Sequence, residues 1–325
     1  MRVSRRRILK WAAVGAALPA LPRTAASQAF PSRPIRLLVG FPAGGTTDIA
    51  ARLIGQWLTE RLGQPVVVEN RPGASANLAA EAVVRSAPDG YTLLAVTSSN
   101  TVNATFFDKL TFSIARDIAM VAGVVRSPLV LEVHPSVKAN SVPELIALAK
   151  ADPGKMTLAS FGTGSTSHVG GELFKLSAGI NMVHVPYRGS APLVVDLIAG
   201  QVQAAFDNLP ASIEHIKSGK LRALAVGTAA RSEQLPNVPT VGEFLPGFEA
   251  SAFVALGVPR NTPAAIIDRL HRETNAGLAD PNIKARLASL GGTPFVSSPG
   301  ELNKLIADEV EKWGKVIRAA NIKPE

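Results

Sequence analysis

Three clusters in this 325-residue chain place glycine, hydroxyl and amide groups where they could hold a charged small molecule. Gly40 to Thr47 fits the phosphate-binding pattern G-x-x-x-x-G-K-[ST], except that Thr46 stands where the lysine belongs. A nucleoside triphosphate needs that ammonium on its β and γ phosphates, so with Asp48 adding negative charge the loop is not a nucleotide site. What remains, Gly44-Gly45-Thr46-Thr47, is a run of backbone N–H groups at a helix start, suited to a carboxylate or an ordered water. Asp48 reads equally as a helix-start acid favoured by the dipole. The second cluster, Gly162-Thr163-Gly164-Ser165-Thr166-Ser167, follows a predicted strand and opens a predicted helix, so its donors should converge. A dinucleotide fold would want a third glycine at position 167 and an acid after the next strand, where Tyr187-Arg188 stands instead. Helix capping accounts for one of these hydroxyls. The third cluster joins Ser98, Ser99 and Asn100 with Asp207-Asn208, all just beyond strand ends. Ligands of open α/β sheets sit at such edges, so one cleft is expected, with Gly44 to Asp48, Ser98 to Asn100, Gly162 to Ser167, Tyr187 and Asp207 as its ligand-binding set.

Enzyme chemistry finds less support. With no cysteine, thiol catalysis and cysteine-ligated metal are excluded. His134, His168, His184, His215 and His271 show no H-x-x-x-H spacing, and Gly73-Ala74-Ser75-Ala76-Asn77 fails the last position of G-x-S-x-G. A dispersed Ser, His and Asp set stays open as the alternative, an exported hydrolase. No catalytic residue, metal or cofactor is expected.

The elements that must position these loops alternate. Strands at 34–39, 66–68 and 92–96 alternate with helices beginning near Ile49 and Ala76. The pattern restarts with a helix at 143–150, a strand at 157–160, a helix at 170–176, strands at 183–185, 204–206 and 223–226, and a helix at 193–198. Strands apolar throughout imply mostly parallel sheets covered on both faces by helices. Two apolar stretches, 121–133 and 252–258, read as crossovers between two α/β domains, one of residues 30–125 plus 253–325, the other of 126–252. Three closing helices near 263–278, 281–290 and 299–319 should return to the first domain.

The charge divides unevenly. Of 34 basic residues, Arg2, Arg5, Arg6, Arg7, Lys10 and Arg23 lie in the first 29 positions, which hold no acid. Removing these six leaves 28 bases against 25 acids, so the remaining body is close to neutral and lacks the footprint for nucleic acid. A twin-arginine cluster, an apolar run from Trp11 to Leu21 and a small-residue stretch ending at Ala29 form an export signal over 1–29. The apolar run of about 11 residues spans roughly 16 Å as a helix, too short for a bilayer. A periplasmic, monomeric protein, soluble after signal cleavage, is expected.

Seven segments carry a family likeness: Phe41 to Asp48, Glu69 to Ala74, Ala87 to Leu93, His184 to Pro192, Phe206 to Pro210, Leu235 to Val241 and Trp313 to Ile317. In that order the chain resembles the Bug-type extracytoplasmic solute receptors of tripartite tricarboxylate transporters. The resemblance implies a two-domain, type II-like periplasmic clamshell that hands a small organic acid to membrane permease subunits. It also implies that Gly44 to Asp48 holds the ligand largely through water, while Gly162 to Ser167 takes a carboxylate directly. One departure stands out: Ser75-Ala76 replaces two glycines usual after Pro72-Gly73-Ala74.

Overall fold

The computed structural model describes residues 30–107, 109–289 and 291–322. The export signal expected over 1–29 lies outside them. In the first lobe, β1 (Ile35–Val39), β2 (Val66–Asn70) and β3 (Thr92–Thr97) pair in parallel, with α1 (Thr46–Leu62) and α2 (Asn77–Val84) between them. Next come α3 (Ser98–Phe106), the single turn α4 (Ile114–Asp117) and the long strand β4 (Ile118–Val133). The second lobe holds α5 (Val142–Ala151), β5 (Thr157–Ser160), α6 (Thr166–Ala178), β6 (Val183–Pro186), α7 (Ser190–Ile198), β7 (Ala204–Asn208), α8 (Leu209–Lys217) and β8 (Arg222–Val226). The chain returns through β9 (Ser251–Pro259), then α9 (Ala264–Ala279), α10 (Pro281–Ser289), the short β10 (Thr293–Pro294) and α11 (Pro299–Ala319).

β4 belongs to both lobes. From Ile118 to Pro128 it runs antiparallel to β9, giving the order β2-β1-β3-β9-β4; from Leu129 to Val133 it lies between β7 and β8, giving β8-β4-β7-β5-β6. The partner change falls at Pro128, which has no N–H to leave unpaired. Two register shifts within the β4–β9 pairing, between Met120 and Ala122 and between Gly123 and Val125, add local twist ahead of the passage. β3 is buried along its whole length, as expected of a strand covered on both faces.

The closing helices do not all return to the first lobe. α9 and α10 do, through Leu270, Leu278, Ile283 and Leu287. α11 starts there with Leu302 and Ile306, but its end plants Trp313, Val316 and Ile317 in the second lobe's core beside Val102 and Phe106 of α3. Sequence spacing gave the helix but not its length of contact: 21 residues span about 30 Å, enough to bridge both cores. α3 and α8 follow β3 and β7 directly, so Ser98 to Asn100 form a first helical turn.

The departure at residues 75–76 has a backbone cost. Ala74, Ser75 and Ala76 take φ of 45°, 51° and 75°, left-handed values that disfavour side chains. Ser75 recovers part of this: its hydroxyl donates to Thr163 O at 2.8 Å across the lobes, and its carbonyl accepts from Asn103 Nδ2 at 2.7 Å. Ala76 makes no such bond. Ala76→Gly is therefore expected to raise stability by about 1 kcal/mol in urea unfolding, whereas Ser75→Gly gains less because it loses the interlobe bond.

Candidate functional site

A cleft of about 560 Å³ opens between the lobes. Its first-lobe wall is Phe41 to Thr47, Ile49, Thr97, Ser98, Ser99, Phe253 and Val254; Ser127 and Ala252 form the back on the crossover strands. The second lobe adds Phe161, Thr166, Arg188 to Pro192, Val194, Val195, Ile198, Asn208, Pro210, Ala211 and His215. The composition is one-sided. Among the described residues the lining holds Arg188 and His215 but no Asp or Glu.

Helix starts converge on this space: α1, α3, α6, α7 and α8 each bring first-turn or capping residues to the wall. Three of them, α1 at Gly45, α7 at Gly189 and α8 at Asn208, have no side-chain cap, so no side chain covers the N–H groups of those first turns. Ser127 adds a hydroxyl, 2 % exposed, that makes no hydrogen bond among the described residues. Arg188 is exposed and no ion pair within the chain engages it among the described residues. Between these donors the wall is apolar: Phe41, Ile49, Phe161, Val194, Ile198, Phe253 and Val254. Such a surface suits an anion with an apolar body.

Of the positions singled out in the sequence, Gly44, Gly45, Thr46, Thr47, Ser98, Ser99 and Thr166 line the cleft. The others lie behind it. Asp48 is 3 % exposed and braces the first loop: it accepts from Gly44 N at 2.9 Å, Arg52 Nε at 3.0 Å and Asn70 Nδ2 at 2.9 Å. Burial pushes its carboxyl up, but the bonds from Arg52, Gly44 and Asn70 outweigh that and hold it below the usual range. Asn100 is taken by the start of α3, where its Oδ1 accepts from Thr97 N at 2.8 Å.

The Gly162–Ser167 loop departs most from expectation. Thr166 alone of its residues reaches the wall, and its hydroxyl meets Ser98 Oγ of the other lobe at 2.7 Å. Thr163 offers its carbonyl to Ser75. Gly164, at φ 73°, lies so close to Phe106 of α3 that a Cβ would stand 2.7 Å from the ring. Ser165 caps α6 by accepting from His168 N at 3.2 Å and donates to Gly162 O at 2.6 Å; Ser167 donates to Phe206 O at 2.5 Å. The Ser165 and Ser167 hydroxyls and the Thr163 carbonyl thus serve folding and lobe contact, demands that residue types alone do not reveal.

Tyr187 donates to Asp196 Oδ2 at 2.8 Å, and burial with that carboxylate pushes its phenol up to about 12. Asp207 is wholly buried beneath α7, accepting from Ser190 Oγ, while the next residue, Asn208, is the one that lines the cleft. His168 and His184 stack at 3.8 Å with 4° between ring planes. Burial first, then the neighbouring positive charge, lowers His168 to about 3 and His184 to about 4, so both are neutral packing groups at pH 7. Arg188, Ser190, Asn208, Ser127 and His215 add polar groups to the wall; Asn208 belongs to the third sequence cluster and Arg188 and Ser190 adjoin others, whereas Ser127 and His215 carried no sequence signal.

Two lobes joined by crossover strands, with helix starts facing an acid-free cleft, define a solute-binding clamshell. The family described as "Tripartite tricarboxylate transporter family receptor" matches residues 50–322, and the chain belongs to it. Protein BugT of Bordetella pertussis is 41% identical over 297 residues, 90% of this chain and 91% of that one. A Rhodopseudomonas palustris protein, Rpa4515, solved with adipate, superposes with a TM-score of 0.86 at 36% identity, covering 91% of this chain and all of that one. MatC from the same organism, solved with bound malate, gives 0.81 at 30% identity, covering 89% of this chain and all of that one.

Ser165 is a test of the division between wall and support. Ser165→Ala is expected to lower stability by about 1 kcal/mol, the worth of a helix cap, in chemical unfolding. Ligand affinity, measured by calorimetry, should stay within about twofold of wild type, because the hydroxyl faces the loop and not the cleft.

Proposed function

We propose that this protein binds one small organic carboxylate with an apolar body in the interlobe cleft, in the periplasm, and presents it as a monomer to the membrane subunits of its transporter. One observation carries the reading: uncapped helix starts and Arg188 face a wall free of acids. A carboxylate gains from dipoles and charge-assisted bonds there, roughly 1.5–3 kcal/mol for each good donor before ordering costs. The adipate and malate bound by the two Rhodopseudomonas proteins are carboxylates and support the class.

Among the described residues Arg188 is the one fixed cation in the wall, so any further carboxylate relies on neutral helix-start donors, while the aromatic and aliphatic wall gains about 25 cal/mol for each Å² of apolar ligand surface it covers. Contacts from both lobes give the ligand the differential affinity that closure needs. The lobes are taken to divide near residues 125–128 and 252–253, where the crossover strands pass. Binding is stoichiometric. The serine–histidine contacts, Ser160 with His184 at 2.7 Å and Ser136 with His134 at 2.7 Å, both stand off the cleft, which weighs against hydrolysis.

Thermal shift of the protein without its first 29 residues, against adipate, benzoate, malate and citrate, tests this. Adipate or benzoate at a hundred times its Kd should stabilise by about 2.7 kcal/mol, and citrate should do less. Arg188→Ala is expected to weaken binding roughly tenfold. No response to any of the four, or conversion of a bound ligand, would overturn the reading.

A further inference from the structure

Behind the second-lobe wall sit two acids that the binding site does not touch directly. Glu132 on β4 and Asp207 on β7 are both 0 % exposed. Val130 pairs with Asp207 and Glu132 with Ala205, so the two acids are diagonal neighbours on one face of the sheet. Ser212 Oγ donates to Glu132 Oε1 at 2.7 Å; Ser190 Oγ and Asn208 N donate to Asp207 Oδ1, the latter at 2.8 Å. Among the described residues Glu132 Oε2 and Asp207 Oδ2 have no hydrogen-bond partner.

No cation compensates them among the described residues. On β8, Arg222 is turned to Val137 O and Ala139 O; on α8, His215 lines the cleft while Glu214 and Lys217 are exposed; Arg188 precedes α7 at the cleft. Two buried carboxyls without a cation cannot both be ionised, so the pair holds at least one proton at neutral pH. Burial, and for Glu132 also the charge of Asp207, raises Glu132 well above the carboxylate range and Asp207 to about 7.

We propose that Asp207 is a positioning residue that makes ligand binding proton-linked, acting through the Ser190 hydroxyl at the wall. Ser190 has one proton to give. With Asp207 ionised, that proton is donated inward, and Ser190 turns lone pairs towards an anionic ligand. With Asp207 protonated, the neutral carboxyl no longer demands it, and the Ser190 O–H is free to turn to the ligand's carboxylate. Removing the charge beneath α7 and α8 also strengthens the field of their N-termini at the cleft. Both effects have one sign, so a bound carboxylate draws a proton onto the acid pair, and by linkage affinity falls as pH rises through the titration of Asp207.

The inference rests on the carboxylate reading, and the test separates the two. Adipate binding is measured by calorimetry from pH 6.5 to 8.5 in buffers of different ionisation enthalpy. Kd should rise roughly tenfold across that range with net proton uptake near pH 7. His215→Gln should keep most of this dependence, whereas Asp207→Asn and Ser190→Ala should lose it. A pH-independent Kd, or loss of the dependence in His215→Gln, would overturn the inference. The carboxyl carbon of Asp207, followed by carbon-13 NMR in the ligand-free protein, should titrate near neutrality; titration near pH 4 overturns the inference whether or not adipate binds. Absence of adipate binding, with that carbon titrating near 7 in wild type and in Ser190→Ala, counts against the ligand assignment and leaves the buried proton in place.

Discussion

The structure depends on one continuous strand. β4 is hydrogen-bonded to β9 in the first lobe and to β7 and β8 in the second, so neither sheet closes without it. A buried strand cannot leave its N–H and C=O groups unpaired, which forces the second sheet to begin where the first ends. The cleft is the gap left at that passage. Ser127, beside Pro128 where the partners change, is consequently at the back of the cleft, and Glu132 is buried a short distance along the same strand.

The second organising feature is economy of polar groups. Each loop after a strand supplies both ligand-facing atoms and supports for them, and the two roles alternate over short distances. Asp48 holds the loop whose neighbours Gly44 to Thr47 face the cleft; Asp207 lies under Asn208; Ser165 caps the helix whose first residue, Thr166, reaches the wall. A charged acid at the wall would repel a carboxylate, and the acids nearest the cleft are indeed withdrawn behind backbone or hydroxyl donors. The near-neutral body of the chain is consistent with attraction through local dipoles rather than through a long-range field.

Lobe contact uses more of the chain than crossover strands alone. α11 runs from the first core into the second, and α3 packs beside it, so the lobes share apolar surface through Val102, Phe106 and Trp313. Ser98 with Thr166 and Ser75 with Thr163 add polar contacts on the cleft side. Rotation between lobes must therefore exchange these hydroxyl contacts, while the apolar seam behind them is costly to open.

By itself the sequence determined the class. The spacing of apolar runs specified the βα units and their covering helices, because periodicity and burial on two faces are local properties that residues display one after another. That β4 and β9 pair antiparallel with β3, β7 and β8, so that each sheet is mixed rather than mostly parallel, was set by the crossover. The sequence also located the loops at strand ends, and seven ordered motifs gave the family. What it could not determine was which hydroxyl in each loop faces a ligand, since Ser165, Thr166 and Ser167 are alike in chemistry and differ only in what lies across from them. Nor could it show that α11 spans both cores, or that Glu132 and Asp207, 75 positions apart, become neighbours through strand register. Those facts belong to tertiary structure, because the energy of a polar group depends on burial and on partners brought from distant parts of the chain.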